Sequence, residues 1–87
     1  MKELEALRER IDRIDEALVK AFCERLEVSG EIGKLKREKG LPITDEEREA
    51  AVTEHAERLA GEKHAGLTKS LYKRIFTLCK AYEQEAK

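Results

Sequence analysis

The sequence predicts an all-α protein in which one long helix is followed by two shorter ones. Apolar residues recur at gaps of three and four along most of the chain, which is the spacing of one helix face. Glycine-containing stretches near residues 40 and 61 divide this pattern into three segments, and no segment alternates as a strand does. The 87 residues allow one modest hydrophobic core, so we expect residues 1–87 to form a single domain.

The first helix is expected to begin at residue 2 or 3 and to end at residues 38–40. Gly40 is a helix stop signal, and Pro42 follows it two residues later. Gly30 and Gly33 lie inside this helix, where each glycine costs about 1 kcal/mol relative to alanine. Either a backbone or a ligand approaches these glycines closely, or they are simply tolerated. The apolar or small residues of its face are at positions 4, 7, 11, 14, 18, 21, 28, 32 and 35.

This first helix is too long to be covered by the rest of the chain. At about 1.5 Å per residue, roughly 36 helical residues span roughly 54 Å. A compact chain of this size has a diameter of only roughly 30 Å. A second copy whose long helix runs alongside would share the core and bury the apolar face. A simple long coiled coil would bury this face equally well.

The second helix is expected from about Asp45 to Ala60. Thr44 and Glu47 have the spacing of a capping box, which predicts Thr44 as the N-cap. The apolar row of this helix is thin and includes one charged residue, Glu49. The members of that inward row are Glu49, Val52, Ala56 and Leu59.

The third helix is expected to follow a loop at residues 61–66 and to run to the C-terminus. Thr68 is the predicted cap. Phe76 and Cys79 lie beside its apolar stripe. That stripe consists of Leu67, Leu71, Ile75, Leu78 and Tyr82.

Composition limits the functional classes open to this chain. Charged residues make up 43% of it, yet the net charge is −1, so there is no general electrostatic attraction to nucleic acid or an acidic membrane. No run is apolar enough for a membrane span or a signal peptide, so we expect a cytoplasmic protein. Cys23 and Cys79 lack metal-site spacing, and we expect reduced thiols in or near the core. His55 and His64 are expected to face solvent, and no metal or cofactor is predicted.

Four charged residues are predicted to face inward. Arg25 occupies a position where the first helix should be apolar, Arg8 and Lys36 lie on the same face, and Glu49 faces them from the second helix. One interpretation is a buried Arg25–Glu49 ion pair, with Arg8 and Lys36 extending their charged ends to solvent. The other is a pocket for a small dianion, because guanidinium groups bind carboxylates through two parallel hydrogen bonds. No nucleophile with its base is recognisable. Catalysis would therefore depend on holding a ligand in a reactive shape and stabilising developing charge.

The first half of the chain resembles the all-helical (AroQ-type) chorismate mutases. The resembling segments are LRERIDRIDEALVKAFCER, EIGKLK and GLPITDEERE. The resemblance implies an intertwined homodimer of three-helix chains. It also implies the unimolecular rearrangement of chorismate to prephenate in phenylalanine and tyrosine biosynthesis, without a cofactor or a covalent intermediate.

The resemblance implies a role for each inward-facing residue. Arg8 would reach into the partner subunit's pocket and bind one substrate carboxylate, and Arg25 would bind the other within its own chain. Lys36 would donate to the ether oxygen, where negative charge grows. Asp45 and Glu49 would lie near the substrate hydroxyl, although a first-turn aspartate is also a good helix start. Arg48 would support them, and the expected catalytic residues are Arg25, Lys36 and Glu49.

The third helix departs from the family pattern. The family places a small polar residue about seven positions after the helix-3 phenylalanine, and a Gln or Glu four positions later. Counting from Phe76 gives Glu83 and Lys87, while Gln84 lies close by. The second donor to the ether oxygen is therefore Glu83, Gln84 or Lys87, and Glu83 would have to be protonated to donate, which favours activity at lower pH. Lys80 stands where an apolar residue is expected.

Three other functions fit parts of the pattern. An isochorismate pyruvate lyase would use the same fold, but in those relatives the acidic pair is not kept as Asp45 and Glu49 are here. A non-catalytic docking or ligand-sensing module of a shikimate-pathway enzyme is consistent with the irregular third helix. A structural coiled coil explains the first helix but not the inward Arg25 and Glu49.

Overall fold

The computed structural model describes residues 1–85 and contains three helices over that range. They are α1 (Lys2–Lys39), α2 (Glu46–Ala60) and α3 (Ala65–Glu85). The described residues contain no strand, which confirms the all-α prediction. None of the three helices is both long enough and apolar enough to cross a membrane.

The end of α1 is set by Gly40, as predicted. Gly40 adopts the left-handed conformation, with φ 67° and ψ 29°, which is strained for a residue with a β-carbon. Its amide donates to the carbonyl of Arg37, and the amide of Leu41 donates to the carbonyl of Lys36 at 2.8 Å. These bonds satisfy the last carbonyls of the helix and turn the chain toward α2.

Both predicted N-caps are wrong. The N-cap of α2 is Asp45, whose carboxylate accepts a hydrogen bond from the Arg48 amide at 3.1 Å. Aspartate and threonine are both good caps, so residue preference does not decide between Thr44 and its neighbour. The helix α3 begins at Ala65, and the Thr68 amide already bonds to the His64 carbonyl at 3.0 Å. The loop is therefore shorter than predicted.

The helix α3 packs against both α1 and α2, which do not pack on each other within the described range. The crossing of α1 and α3 is close at Gly33, which is buried. A β-carbon added there would lie 2.9 Å from the β-carbon of Glu83. The close approach of a neighbouring backbone therefore accounts for Gly33, which is one of the two explanations that the sequence left open.

Several predicted core residues are exposed in the single chain. Leu59 of α2 and Leu67 of α3 are 75% and 76% exposed, and Cys23 is exposed as well, so none of the three lies in the core of the single chain. Apolar residues occupy more than one face of α3, and the pattern does not say which face its own chain covers. The buried α3 residues are Cys79 and Glu83. Both histidines are exposed, which confirms that prediction.

The first half of α1 lies outside the packed part of the chain. Its predicted apolar face is present but uncovered, and the whole chain is 56 Å long along its principal axis. The side chains on this face are all more than half exposed: Leu7, Ile11, Ile14 and Leu18. The core is formed by the second half of α1 together with α2 and α3, and a cavity lies within this part of the chain.

Candidate functional site

A cavity of about 380 Å³ lies where the second half of α1, the link to α2, and helices α2 and α3 come together. Six of the seven predicted site residues line it, and Arg8 does not. The lining residues that the sequence predicted are Arg25, Lys36, Asp45, Arg48, Glu49 and Glu83. The cavity therefore brings together charges from three separate helices.

The guanidinium of Arg25 is held by α3. Its Nη1 donates to the Sγ atom of Cys79 at 3.2 Å. Its central carbon lies 5.8 Å from the ring centre of Tyr72 and 5.9 Å from that of Phe76, within the range of cation–π attraction. The two rings meet edge to face at 6.0 Å. These contacts fix the direction of the guanidinium at the cavity wall.

The ammonium group of Lys36 lies at the cavity, next to the link between α1 and α2. Its Nζ donates to the carbonyl of Ile43 at 2.8 Å, which ties the link to α1. An ammonium group has three donors, so two remain for a ligand oxygen. Lys36 therefore holds the link in place and keeps two N–H donors that can bind a ligand in the cavity.

The ion-pair interpretation required Glu49 to pair with Arg25, but Glu49 pairs with Lys80 instead. Its Oε2 lies 3.1 Å from the Nζ of Lys80, and both side chains are about 30% exposed, at 28% and 31%. Lys80 is not among the site residues that the sequence predicts. Helical spacing could have identified Lys80 as a site residue. It lies four residues after Phe76 and three before Glu83, and all three line the cavity.

Of the candidates for the second donor, Glu83 is the one that lines the cavity among the described residues. Glu83 is 7% exposed, whereas Gln84 is exposed and does not line the cavity. Lys87 lies outside the described residues. Burial raises the pKa of the Glu83 carboxyl above its usual range, and the nearby cations Lys36, Arg25 and Lys80 oppose this rise.

The position of Glu83 is held from α1. Arg37 Nη1 donates to the Glu83 carbonyl at 2.7 Å, and the Tyr82 hydroxyl donates to Glu27 Oε1 at 3.0 Å. Cys79 and Glu83 both face the cavity, so a small residue followed four positions later by a glutamate does occur, one turn earlier than counting from Phe76 suggested. The close crossing with α1 at Gly33 sets which residues of α3 line the cavity.

One family of known proteins matches most of this chain. The family model described as chorismate mutase type II matches residues 7–84. A bifunctional chorismate mutase/prephenate dehydratase from Aquifex aeolicus is 35% identical over 100% of this chain and 25% of its own length. A T-protein from Haemophilus influenzae is 44% identical over 82% of this chain and 18% of its own length.

A shorter relative is the chorismate mutase of Methanocaldococcus jannaschii, which is 31% identical over 71% of this chain and 63% of its own length. The chain spans a quarter or less of the two longer relatives named above. No solved structure matches it significantly. Because the family model covers nearly the whole chain, from residue 7 to residue 84, the chain belongs to the chorismate mutase type II family.

Proposed function

We propose that this chain is an isomerase that converts chorismate to prephenate. The observation that carries the proposal is the cavity itself, which places Arg25, Lys36, Glu49 and Glu83 around one space. A small dicarboxylate with an ether oxygen and a hydroxyl matches this set of donors and acceptors. The proposal invokes no metal and no cofactor, because the rearrangement is pericyclic and involves neither a redox change nor the transfer of a group to another molecule.

The chemistry follows from the charges on the cavity wall. In the rearrangement the ether C–O bond breaks while a C–C bond forms, so no proton is gained or lost. Negative charge grows on the ether oxygen, and the remaining donors of Lys36 together with a protonated Glu83 stabilise it in the transition state. Arg25 binds a carboxylate, and its contacts with α3 orient it beforehand, which reduces the entropic cost of reaching the reactive conformation.

The acidic side of the cavity binds the substrate hydroxyl. Glu49 accepts from that hydroxyl, and Arg48 and Asp45 support this wall. Asp45 also caps α2, so its contribution to binding is through the placement of the helix start as well as through its charge. The presence of both Asp45 and Glu49 at the cavity favours the mutase over an isochorismate pyruvate lyase.

The proposal includes a homodimer in which the uncovered face of α1 is buried by a second copy. Four adjacent apolar side chains exposed by more than half on one helix are costly in water, and covering them with an equivalent helix recovers roughly 25 cal/mol for each Å² buried. In this arrangement Arg8 reaches the partner subunit's cavity. The extent of the domain over residues 1–87 and the cytoplasmic location stay predictions, as does the lack of a nucleic-acid or membrane partner.

The test is the loss of chorismate absorbance with purified protein over a range of pH, with prephenate identified as the product. Enzymatic formation of prephenate would establish the mutase, and pyruvate release would indicate the lyase instead. A protein that is a folded helical dimer but turns over neither substrate, while binding a dicarboxylate mimic of the transition state, would be the docking or sensing module.

A further inference from the structure

We propose that Lys80 is a positioning residue for this reaction, which holds the Glu49 carboxylate at the cavity and places a positive charge beside Glu83. Its catalytic part rests on the mutase activity proposed above. Lys80 interrupts the apolar pattern of α3, and its side chain lines the cavity together with Glu49 and Glu83.

An ion pair between α2 and α3 holds the Glu49 carboxylate. The Nζ of Lys80 lies 3.1 Å from Oε2 of Glu49, and the pair is partly buried. A carboxylate has two oxygens, so this contact leaves Oε1 to accept from a substrate hydroxyl. A glutamate side chain has several rotatable bonds, and anchoring one oxygen reduces the rotamers that compete with the binding geometry.

Lys80 also lies on the same helix face as Glu83. The two residues are three apart on α3, and such residues are neighbours on a helix surface. The other charges facing Glu83 are Lys36 and Arg25 from α1 and Glu49 from α2. From α1, Arg37 bonds to the backbone carbonyl of Glu83.

Lys80 therefore acts on Glu83 in two ways. Its positive charge opposes the increase in the pKa of Glu83 that burial causes, and it offsets the negative charge of Glu49, which acts in the same direction as burial. Without Lys80, Lys36 and Arg25 would still oppose the effects of burial and Glu49, but the contribution of Lys80 would be lost. The pKa of Glu83 would then rise further, and the protonated form would persist to higher pH.

The two roles predict opposite effects of Lys80→Met on activity at acidic and at alkaline pH. At acidic pH, where Glu83 is protonated in either protein, kcat/KM falls by about two- to fivefold, chiefly through KM, because Glu49 loses its anchor. The alkaline limb of the pH profile moves to higher pH, because Glu83 keeps its proton longer. The ratio of wild-type to variant activity therefore decreases as pH rises, which a purely structural loss would not produce.

The experiment compares pH–rate profiles with a direct titration of Glu83. Carbon-13 carboxyl NMR follows Glu83, whose signal is identified by its disappearance in Glu83→Gln. Lys80→Met and Lys80→Gln should raise the pKa of Glu83, and Lys80→Arg should restore both the titration and the profile. Lys63→Met removes the same charge from the exposed α2–α3 loop and should change neither.

The outcomes separate this inference from the mutase proposal. An unchanged Glu83 titration in both Lys80 variants would overturn the role of Lys80 while leaving the mutase intact. If no prephenate forms, the NMR titration still measures the effect of Lys80 on Glu83, because it needs no turnover. Equal loss of activity at every pH would also contradict the inference.

Discussion

Gly33 of α1 and Glu83 of α3 cross so closely that a β-carbon on the glycine would lie 2.9 Å from both the β-carbon and the carbonyl oxygen of the glutamate. This contact places Glu83 at the cavity wall and fixes which face of α3 turns inward. A helical glycine is therefore part of the arrangement of the site, although it has no side chain to contribute to chemistry.

Gly33→Ala is expected to destabilise the protein and lower its activity. A methyl group 2.9 Å from the carbonyl oxygen of Glu83 has to displace α3, and overpacking of this kind costs about 1–3 kcal/mol. Urea denaturation followed by circular dichroism would measure the free energy of unfolding. Gly66→Ala is the matched control, because nothing lies within 4 Å of its added β-carbon and alanine is the better helix former. A Gly33→Ala protein as stable as Gly66→Ala would contradict the close crossing.

Arg25→Ala is expected to leave a folded protein but to reduce kcat/KM by about two to three orders of magnitude. The variant loses the donors for a substrate carboxylate, and removal of an oriented charge at a transition state has effects of about this size. Steady-state assays of prephenate formation, with circular dichroism for the fold, would test this. Arg58→Ala, on the exposed side of α2, serves as the control and should retain full activity. Near-normal turnover by Arg25→Ala would remove Arg25 from the site.

Glu83→Gln is expected to remove the loss of activity at alkaline pH. Glutamine donates a hydrogen bond at every pH, whereas Glu83 donates only while it is protonated. Burial raises the pKa of Glu83, so the wild-type profile should fall as pH rises through that raised value. Parallel pH–rate profiles of the two proteins would show the difference, and an alkaline decline that persists in Glu83→Gln would assign it to another group.

The same substitution is expected to change how stability depends on pH. Because the pKa of Glu83 is raised in the folded chain, its protonated form stabilises folding below the unfolded pKa, near 4.5. That contribution is lost as pH rises through the higher folded pKa. Urea denaturation at a series of pH values should show this loss in the wild type and not in Glu83→Gln. Identical pH dependence in the two proteins would mean that Glu83 is not buried as the structure has it.

Mixing two inactive variants is expected to restore activity if Arg8 acts across a dimer. A chain with Arg8→Ala keeps its own Arg25, and a partner with Arg25→Ala supplies Arg8, so a mixed dimer has one complete site. After random subunit exchange, half of the dimers are mixed, which gives roughly a quarter of the wild-type activity. Co-refolding of the two proteins followed by the prephenate assay would measure this. No recovery, in a mixture shown to exchange subunits, would place Arg8 in its own chain's site or outside it.

Much of this molecule could be predicted from local sequence patterns. Helical periodicity gave three helices, and the stop at Gly40 was confirmed because a left-handed residue after a helix is a local requirement. Arg25, Lys36 and Glu49 were identified because a charge on an apolar face contradicts the local pattern. The cap of α2 was misplaced by one residue, since Thr44 and Asp45 are both competent and only the folded link selects between them.

The sequence by itself therefore determined the helices, their order and the inward charges of α1 and α2, because these depend on spacing within one helix. Only the tertiary structure decided the register of α3, and with it the placement of Cys79, Lys80 and Glu83 at the cavity. The reason is physical. Apolar residues occupy more than one face of α3, and the close crossing at Gly33, a contact between residues far apart in the chain, selects the face that is buried.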